Sequence, residues 1–250
     1  MFLQYVHEML TYRLRIILMV ISNFATPIVM LLVLQSIDNR SGLSTQQLVS
    51  YYIFTTILAL SMRSRVDEFV QESIEEGGLA TYLIRPVHFW LIALTNDLSS
   101  RILKLLFGIP VFLVLLFIYS RIHISVSWIS TLTIAGMILL SFSLSFTFSF
   151  MIGLLAFWIE ELWGLQNLKD VMIILLGGIA LPYQFFPVWL QKSLVYTPFP
   201  YLINWPLRKG FTGSFTLEVI ITLVWILTFA LLSKLFWQTG LKKYSALGTY

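Results

Sequence analysis

Long stretches without a charged side chain restrict the fold of this sequence more than any other feature. No Asp, Glu, Lys or Arg occurs in the six stretches 16–37, 41–62, 105–120, 122–159, 171–191 and 219–233. A helix that crosses the hydrocarbon core of a bilayer needs roughly 20 mostly apolar residues. Charged residues make up only 11% of the chain, whereas soluble domains contain about a quarter. A soluble helical protein is therefore a poor interpretation.

The charge-free stretches predict an all-α, polytopic membrane protein with six transmembrane helices. The two shorter stretches reach spanning length if Arg101, Lys104 and Lys234 extend their long side chains toward the lipid head groups. The stretch 122–159 is longer than one span but too short for two spans and a turn. The predicted spans cover about 16–36, 47–64, 99–119, 128–157, 170–186 and 216–237.

The sequence predicts a single transmembrane domain over residues 1–250. Its parts are an N-terminal interfacial helix (1–15), spans one and two (16–64), a polar loop (65–97), spans three to five (98–186), a stretch rich in Pro and aromatic residues (187–214), and span six with a tail (215–250). The interfacial helix is predicted because the polar side chains of 1–15 share one narrow arc of a helical wheel.

The distribution of Lys and Arg orients the predicted spans. If the N-terminus lies in the cytoplasm, eleven of the 16 Lys and Arg residues flank the spans on the cytoplasmic side and five on the external side. An excess of Lys and Arg in cytoplasmic loops is the usual bias of membrane proteins. We therefore expect both termini and the loop 65–97 in the cytoplasm.

The loop after the second predicted span contains a short acidic segment. A helix over 66–76 would place Phe69 on its apolar face. Glycines commonly end such a helix, and Gly77 and Gly78 follow it here. The inner leaflet is anionic and would repel an acidic face, which should then point into water or contact a basic protein surface. A solvated loop without a partner is the alternative. The carboxylates of the opposite face are Asp67, Glu68, Glu72, Glu75 and Glu76, five of the 12 acidic residues in the chain.

The fourth predicted span contains small residues at every fourth position, namely Ser141, Ser145, Ser149 and Gly153. Small residues in such a row allow helices to approach closely within lipid. The row therefore predicts a helix-packing face, and a polar groove for a substrate is the alternative.

Four short pieces of the sequence occur in a characteristic order. They are EEGGLATYLIRPVHFW at 75–90, AFWIEELWGLQNL at 156–168, FFPVW at 185–189 and WQTGLKKYSALG at 237–248. Together they resemble the membrane subunits of bacterial ATP-binding-cassette transporters of the type-2 exporter class, and the resemblance covers essentially the whole chain. In that family the loop usually reads closer to R-x-G-x-L-D, a place that Glu75, Glu76 and the double glycine occupy here.

The resemblance implies that the acidic helix is a coupling helix, which rests in a cleft of a separate cytoplasmic ATPase. It also implies a second permease chain, identical or homologous, a location in the bacterial inner membrane, and an external re-entrant segment at 187–214. The implied ATPase-coupling residues are Asp67, Glu68, Phe69, Glu72, Glu75, Glu76, Gly77, Gly78 and Arg85. The implied pathway residues are Tyr51, Phe54, Gln184 and Phe185.

The chain itself is not expected to be an enzyme. It has no G-x-x-x-x-G-K-[ST] loop to hold phosphates, so ATP and Mg are expected on the partner chain and no cofactor on this one. No metal site is expected either, because His7, His88 and His123 belong to different predicted faces of the membrane. No basic patch with interleaved aromatic residues indicates nucleic acid, and membrane lipid is the expected surrounding.

The nearly uncharged, aromatic-rich spans favour an amphipathic drug, peptide or lipid as the exported molecule, as in multidrug or lipid efflux. Two other functions stay open at this point. One is a structural membrane subunit that assembles a complex without transport. The other, which the scarcity of ionisable residues in the spans disfavours, is an intramembrane lipid-modifying enzyme.

Overall fold

The computed structural model describes residues 29, 32, 45–118, 128–204 and 217–247, and no strand occurs among them. The predicted all-α fold is thus confirmed for these ranges. The predicted interfacial helix (1–15), nearly all of the first span (16–36) and residues 205–214 lie outside the described residues. The helices are α1 (Thr45–Met62), α2 (Val66–Glu75), α3 (Leu79–Leu83), α4 (Phe89–Ile118), α5 (Trp128–Gly153), α6 (Trp163–Leu176), α7 (Val188–Leu194), α8 (Phe199–Leu202) and α9 (Leu217–Leu247).

Two segments of the described ranges are long and apolar enough to cross a bilayer, judged by length and composition alone. They are Ala135–Phe157, which comprises most of α5 and a following 3₁₀ turn, and Leu217–Tyr244 in α9. Of the most apolar window, 56% is buried within the protein in the first segment and 17% in the second. The segment in α5 is therefore central, whereas α9 is peripheral and leaves most of its apolar surface for lipid or another apolar surface.

The row of small residues on α5 is a packing face, as predicted. Ser141, Ser145 and Ser149 are all fully buried. The Ser141 hydroxyl donates a hydrogen bond of 2.8 Å to the Tyr201 carbonyl oxygen, which joins α5 to α8. At the end of the row, a Cβ atom on Gly153 would lie only 2.8 Å from the Cβ atom of Val70 on α2. Glycine thus permits a close crossing of α2 over α5.

The helix α6 is shorter than the predicted fifth span of 170–186. It ends at Leu176, and Gly178 adopts a φ of +88°, which breaks the helical backbone. The 14 residues of α6 extend about 21 Å, whereas the hydrocarbon core is about 30 Å thick. The chain continues through a 3₁₀ turn and the short helices α7 and α8. Residues 177–186 do not form the helix that was expected.

Candidate coupling site

The helix α2 separates apolar and acidic side chains as the sequence predicts. Val66, Val70 and Ile74 are buried and belong to a core cluster with Leu154 and Phe157 of the 3₁₀ turn after α5. The exposed carboxylates of this segment are those of Glu72, Glu75 and Glu76. An acidic surface therefore lies on a helix whose opposite face is built into the protein.

Glu68 and Glu72 of the acidic face differ in their surroundings. Glu68 is half-buried and forms an ion pair of 3.2 Å with Arg65. Glu72 lies among carboxylates: partial burial raises its pKa above the ordinary value of a glutamate, and the negative charges of Glu76, Glu68 and Glu75 raise it further. Such mutual repulsion is relieved when a cationic surface approaches.

The prediction that Asp67 lies on the exposed acidic face was wrong, because its side chain is buried. Its side chain is 1% exposed and accepts two hydrogen bonds of 2.8 Å from the Lys169 ammonium of α6. Asp67 lies three residues before Val70, which lies four residues before Ile74. This spacing places all three side chains on one helix face. Burial raises the pKa of Asp67, and the adjacent Lys169 charge opposes this shift.

Residues 63–65, the elbow between α1 and α2, are held by polar side chains from three other helices. The Ser64 hydroxyl donates to Asp97 Oδ1 of α4 (2.8 Å), and the Ser64 N–H donates to Ser145 Oγ of α5 (3.1 Å). The Ser64 carbonyl oxygen accepts from Lys169 of α6 at 3.2 Å and from Ser149 of α5 at 3.4 Å. The backbone that leads into α2 is thus hydrogen-bonded on several sides.

Arg101 also differs from the prediction, which extended its side chain toward the head groups. The guanidinium is 2% exposed and pairs with Asp97 one helical turn earlier, with Nη2 2.6 Å from Oδ2. It donates further to the carbonyl oxygens of Ser61 and Met62 at the end of α1. A buried charge is costly unless it is paired, and Asp97 supplies the opposite charge here. Arg101 therefore joins α4 to α1.

Phe69 contacts other aromatic rings of this chain. It stacks on Phe89 at the start of α4 with a centroid distance of 6.1 Å, and Phe89 stacks on Trp237 of α9 at 5.1 Å. In addition, the Tyr244 hydroxyl of α9 donates to the carbonyl oxygen of Gly77 at 3.4 Å. The C-terminal end of α9 thus packs beside α2.

The glycines after α2 and the Arg85-Pro86 pair form the return to α4. Gly77 has a φ of +73° and ends the helix, as predicted. No atom lies within 4 Å of the position that a Cβ would occupy on Gly77. Gly78 has ordinary helical dihedral angles and precedes α3. Arg85 is exposed and lies over the ring of Tyr82, with 5.4 Å from Cζ to the centroid.

The four predicted pathway residues do not form one cluster. The hydroxyl of Tyr51 donates to the carbonyl oxygen of Gly178, and Phe185 packs in the same cluster, so these two lie together. Phe54 instead contacts the ring of Phe112 on α4, with 6.0 Å between centroids. Gln184 is exposed. Tyr51 and Phe185 join α1 to the segment after α6.

Sequence reasoning missed Lys169 and Asp97 as members of this site. Lys169 was assigned to a cytoplasmic flank, yet its ammonium lies in the interior of the protein. Gln166, also on α6, donates a hydrogen bond of 2.8 Å to Gln71 of α2. Gln166 and Lys169 lie three residues apart on one face of α6, and this face packs against α2.

Comparison with protein families gives a match over nearly the whole chain. Residues 17–248 match the model of a family described as ABC-2 family transporter protein. No curated protein and no solved structure matches significantly. The match includes α2, the elbow and the interior helices that hold them. The chain therefore belongs to the ABC-2 transporter family, as the resemblance indicated, and is a membrane component of a transporter.

Proposed function

We propose that this chain is the permease subunit of an ATP-driven exporter, that it forms half of the translocation pathway, and that α2 couples it to a separate cytoplasmic ATPase. Membership of the ABC-2 family supports a permease. The observation that carries the coupling role is the division of α2 into a buried apolar face and an exposed face with Glu72, Glu75 and Glu76. A helix placed in the groove of a partner is a common mode of recognition.

In the proposed assembly the chain has six spans, both termini in the cytoplasm, and a second permease chain beside it in the bacterial inner membrane. The excess of Lys and Arg on the proposed cytoplasmic side supports this orientation. The largely exposed apolar surface of α9 supports contact with lipid. ATP and Mg are bound by the partner ATPase, and the exported molecule is an amphipathic drug, peptide or lipid.

Charge reversal on α2 tests the coupling role. The triple variant Glu72→Lys, Glu75→Lys, Glu76→Lys is expected to lower co-purification of the partner ATPase at least tenfold, because like charges across an interface repel. Insertion into the membrane should not change, since all three side chains are exposed. The measurement is the amount of ATPase retained per permease after affinity purification from membranes.

A matched control reverses two other exposed carboxylates, Glu160→Lys with Glu161→Lys, in the turn before α6. The control should retain the ATPase if the effect belongs to the α2 surface. Unchanged retention in the α2 variant, or equal loss in both variants, would contradict the proposal. Raising the salt concentration should weaken retention for the parent chain, since exposed charges are screened within about 10 Å at 0.1 M salt.

A further inference from the structure

The Lys169 side chain of α6 connects several segments in the interior of the protein. Its ammonium donates to both carboxylate oxygens of Asp67 on α2 at 2.8 Å. It also donates to the carbonyl oxygen of Ser64 in the elbow at 3.2 Å and to Ser149 Oγ on α5 at 3.3 Å. One buried cation thus joins α6 to α2, to the elbow and to α5.

The contacts of Lys169 resist movements of α2 that apolar packing alone would allow. Val66, Val70 and Ile74 hold α2 by apolar contact, which has no preferred direction and tolerates sliding along the surface. An ion pair in the interior is directional and is strengthened by the low dielectric. Its loss leaves an uncompensated buried charge, so the pair keeps α2 in one register against α6.

The close crossing at Gly153 limits movement of the same residue from the other side. A Cβ atom at Gly153 would lie 2.9 Å from Asp67 Cα and 3.0 Å from the Asp67 carbonyl oxygen. The backbone of Asp67 therefore lies directly on α5 while its carboxylate is held by α6. A displacement of α2 toward or along the membrane helices must then displace both neighbours.

We infer that Lys169 is a positioning residue, which ties α2 to α5 and α6 through Asp67 and Ser64 so that the three helices move as one body when α2 is displaced. The inference rests on the proposed function, in which an ATPase displaces α2. Lys169 contacts neither the ATPase nor the exported molecule in this proposal. It transmits the displacement of α2 to the membrane helices.

Variants of the pair separate the ionic link from simple packing. Lys169→Met and Asp67→Asn each remove the ion pair and leave one polar partner buried. The double variant Asp67→Asn with Lys169→Met removes the link without an unpaired charge, so it is expected to fold even where Lys169→Met does not. The exchange Asp67→Lys with Lys169→Asp restores opposite charges at the same two positions. Lys192→Met, at an exposed lysine of α7, is the matched control.

The readout is the distance between a spin label directly after α2 and one on α6, measured by double electron–electron resonance in the complete assembly. The chain contains no cysteine, so Ala80→Cys at the start of α3 and Asn167→Cys on α6, both exposed and outside the proposed ATPase contact, introduce the labels without removal of a native cysteine from this chain. Distances are recorded without nucleotide and after trapping with ATP and vanadate. Co-purification of the ATPase is checked on the unlabelled parent chain.

We expect one narrow distance distribution in both nucleotide states for the parent, the Lys192→Met control and the charge exchange. Lys169→Met and the double variant should show a second population in the trapped state, displaced by about 5 Å, the rise of one helix turn. A parent distance that shifts on trapping, or variants that retain the parental distribution, would overturn the inference. If the ATPase fails to co-purify with the unlabelled parent, the proposed function fails instead.

Discussion

At the scale of single residues, the crossing of α2 over α5 depends on the absence of a side chain at Gly153. The nearest atoms to a Cβ at this position include backbone atoms of Asp67, which cannot rotate away as a side chain can. Gly136 in the same helix has nothing within 4 Å of its Cβ position. Of the two glycines of α5, Gly153 therefore permits the close approach of α2, whereas Gly136 does not contact another segment through this position.

Gly153→Ala is expected to destabilise the protein by about 1–3 kcal/mol, the usual cost of overpacking, because α2 must shift away from α5. Gly136→Ala should leave stability unchanged or raise it by up to about 1 kcal/mol through helix propensity. Thermal unfolding of both variants in the same detergent measures the difference. Equal melting temperatures for the two variants would show that the crossing is not close.

At the scale of elements, α9 contributes to the site around α2 through its C-terminal end. Trp237 stacks on Phe89, and Phe157 contacts the rings of both Trp237 and Tyr244. Gly240 lies on this face of α9, and a Cβ there would overlap the ring of Phe157. The aromatic cluster thus joins α9 to the 3₁₀ turn on which α2 packs.

Gly240→Ala is expected to push Phe157 out of this cluster and to loosen the packing of α2. Hydrogen exchange of the α2 amides should become faster by at least about tenfold, which corresponds to 1.4 kcal/mol of local stability. Gly164→Ala at the start of α6, with nothing within 4 Å of its Cβ position, serves as the control. Unaltered exchange in α2 after Gly240→Ala would argue against a role for α9 in holding α2.

At the scale of the whole molecule, the proposed assembly places the acidic face of α2 against a basic surface of another protein. Partial burial, and then the negative charges of neighbouring carboxylates, raise the pKa of Glu72 in the free chain. A basic partner would lower that pKa, so binding releases a proton. The affinity for the ATPase should therefore rise as the pH rises through the pKa of Glu72 in the free chain, and fall as Glu72 becomes protonated.

This pH dependence is measured by titrating the ATPase onto the reconstituted permease over a range of pH that extends upward from the ordinary pKa of a glutamate, because the pKa of Glu72 is raised. The variant Glu72→Gln has no titratable group at this position. Its affinity for the ATPase should therefore change less with pH than that of the parent chain. A parent affinity that does not change over this range, or one that falls as the pH rises, is incompatible with carboxylates as the contact groups.

Hydrophobic patterning alone identified most of the helices. The predicted spans at 47–64 and 128–157 correspond to α1 and to α5 with its 3₁₀ turn. Uncharged runs can be read without tertiary information because the cost of placing a charge in hydrocarbon depends on the residue itself. The amphipathic division of α2 and the small-residue row of α5 were predictable for a similar reason, since both follow from helical periodicity.

The position of each charged side chain was decided only by the tertiary structure. The sequence by itself determined that Asp67 belongs to an acidic helix, and it predicted Lys169 and Arg101 only as flanking residues of spans. Whether such a group faces water or the interior depends on which partner lies opposite. Lys169 is the partner of both Asp67 and Ser64, and it is 102 and 105 residues away from them in the sequence. Local patterning carries no information about a contact across that separation, because the free energy that permits burial comes from the partner.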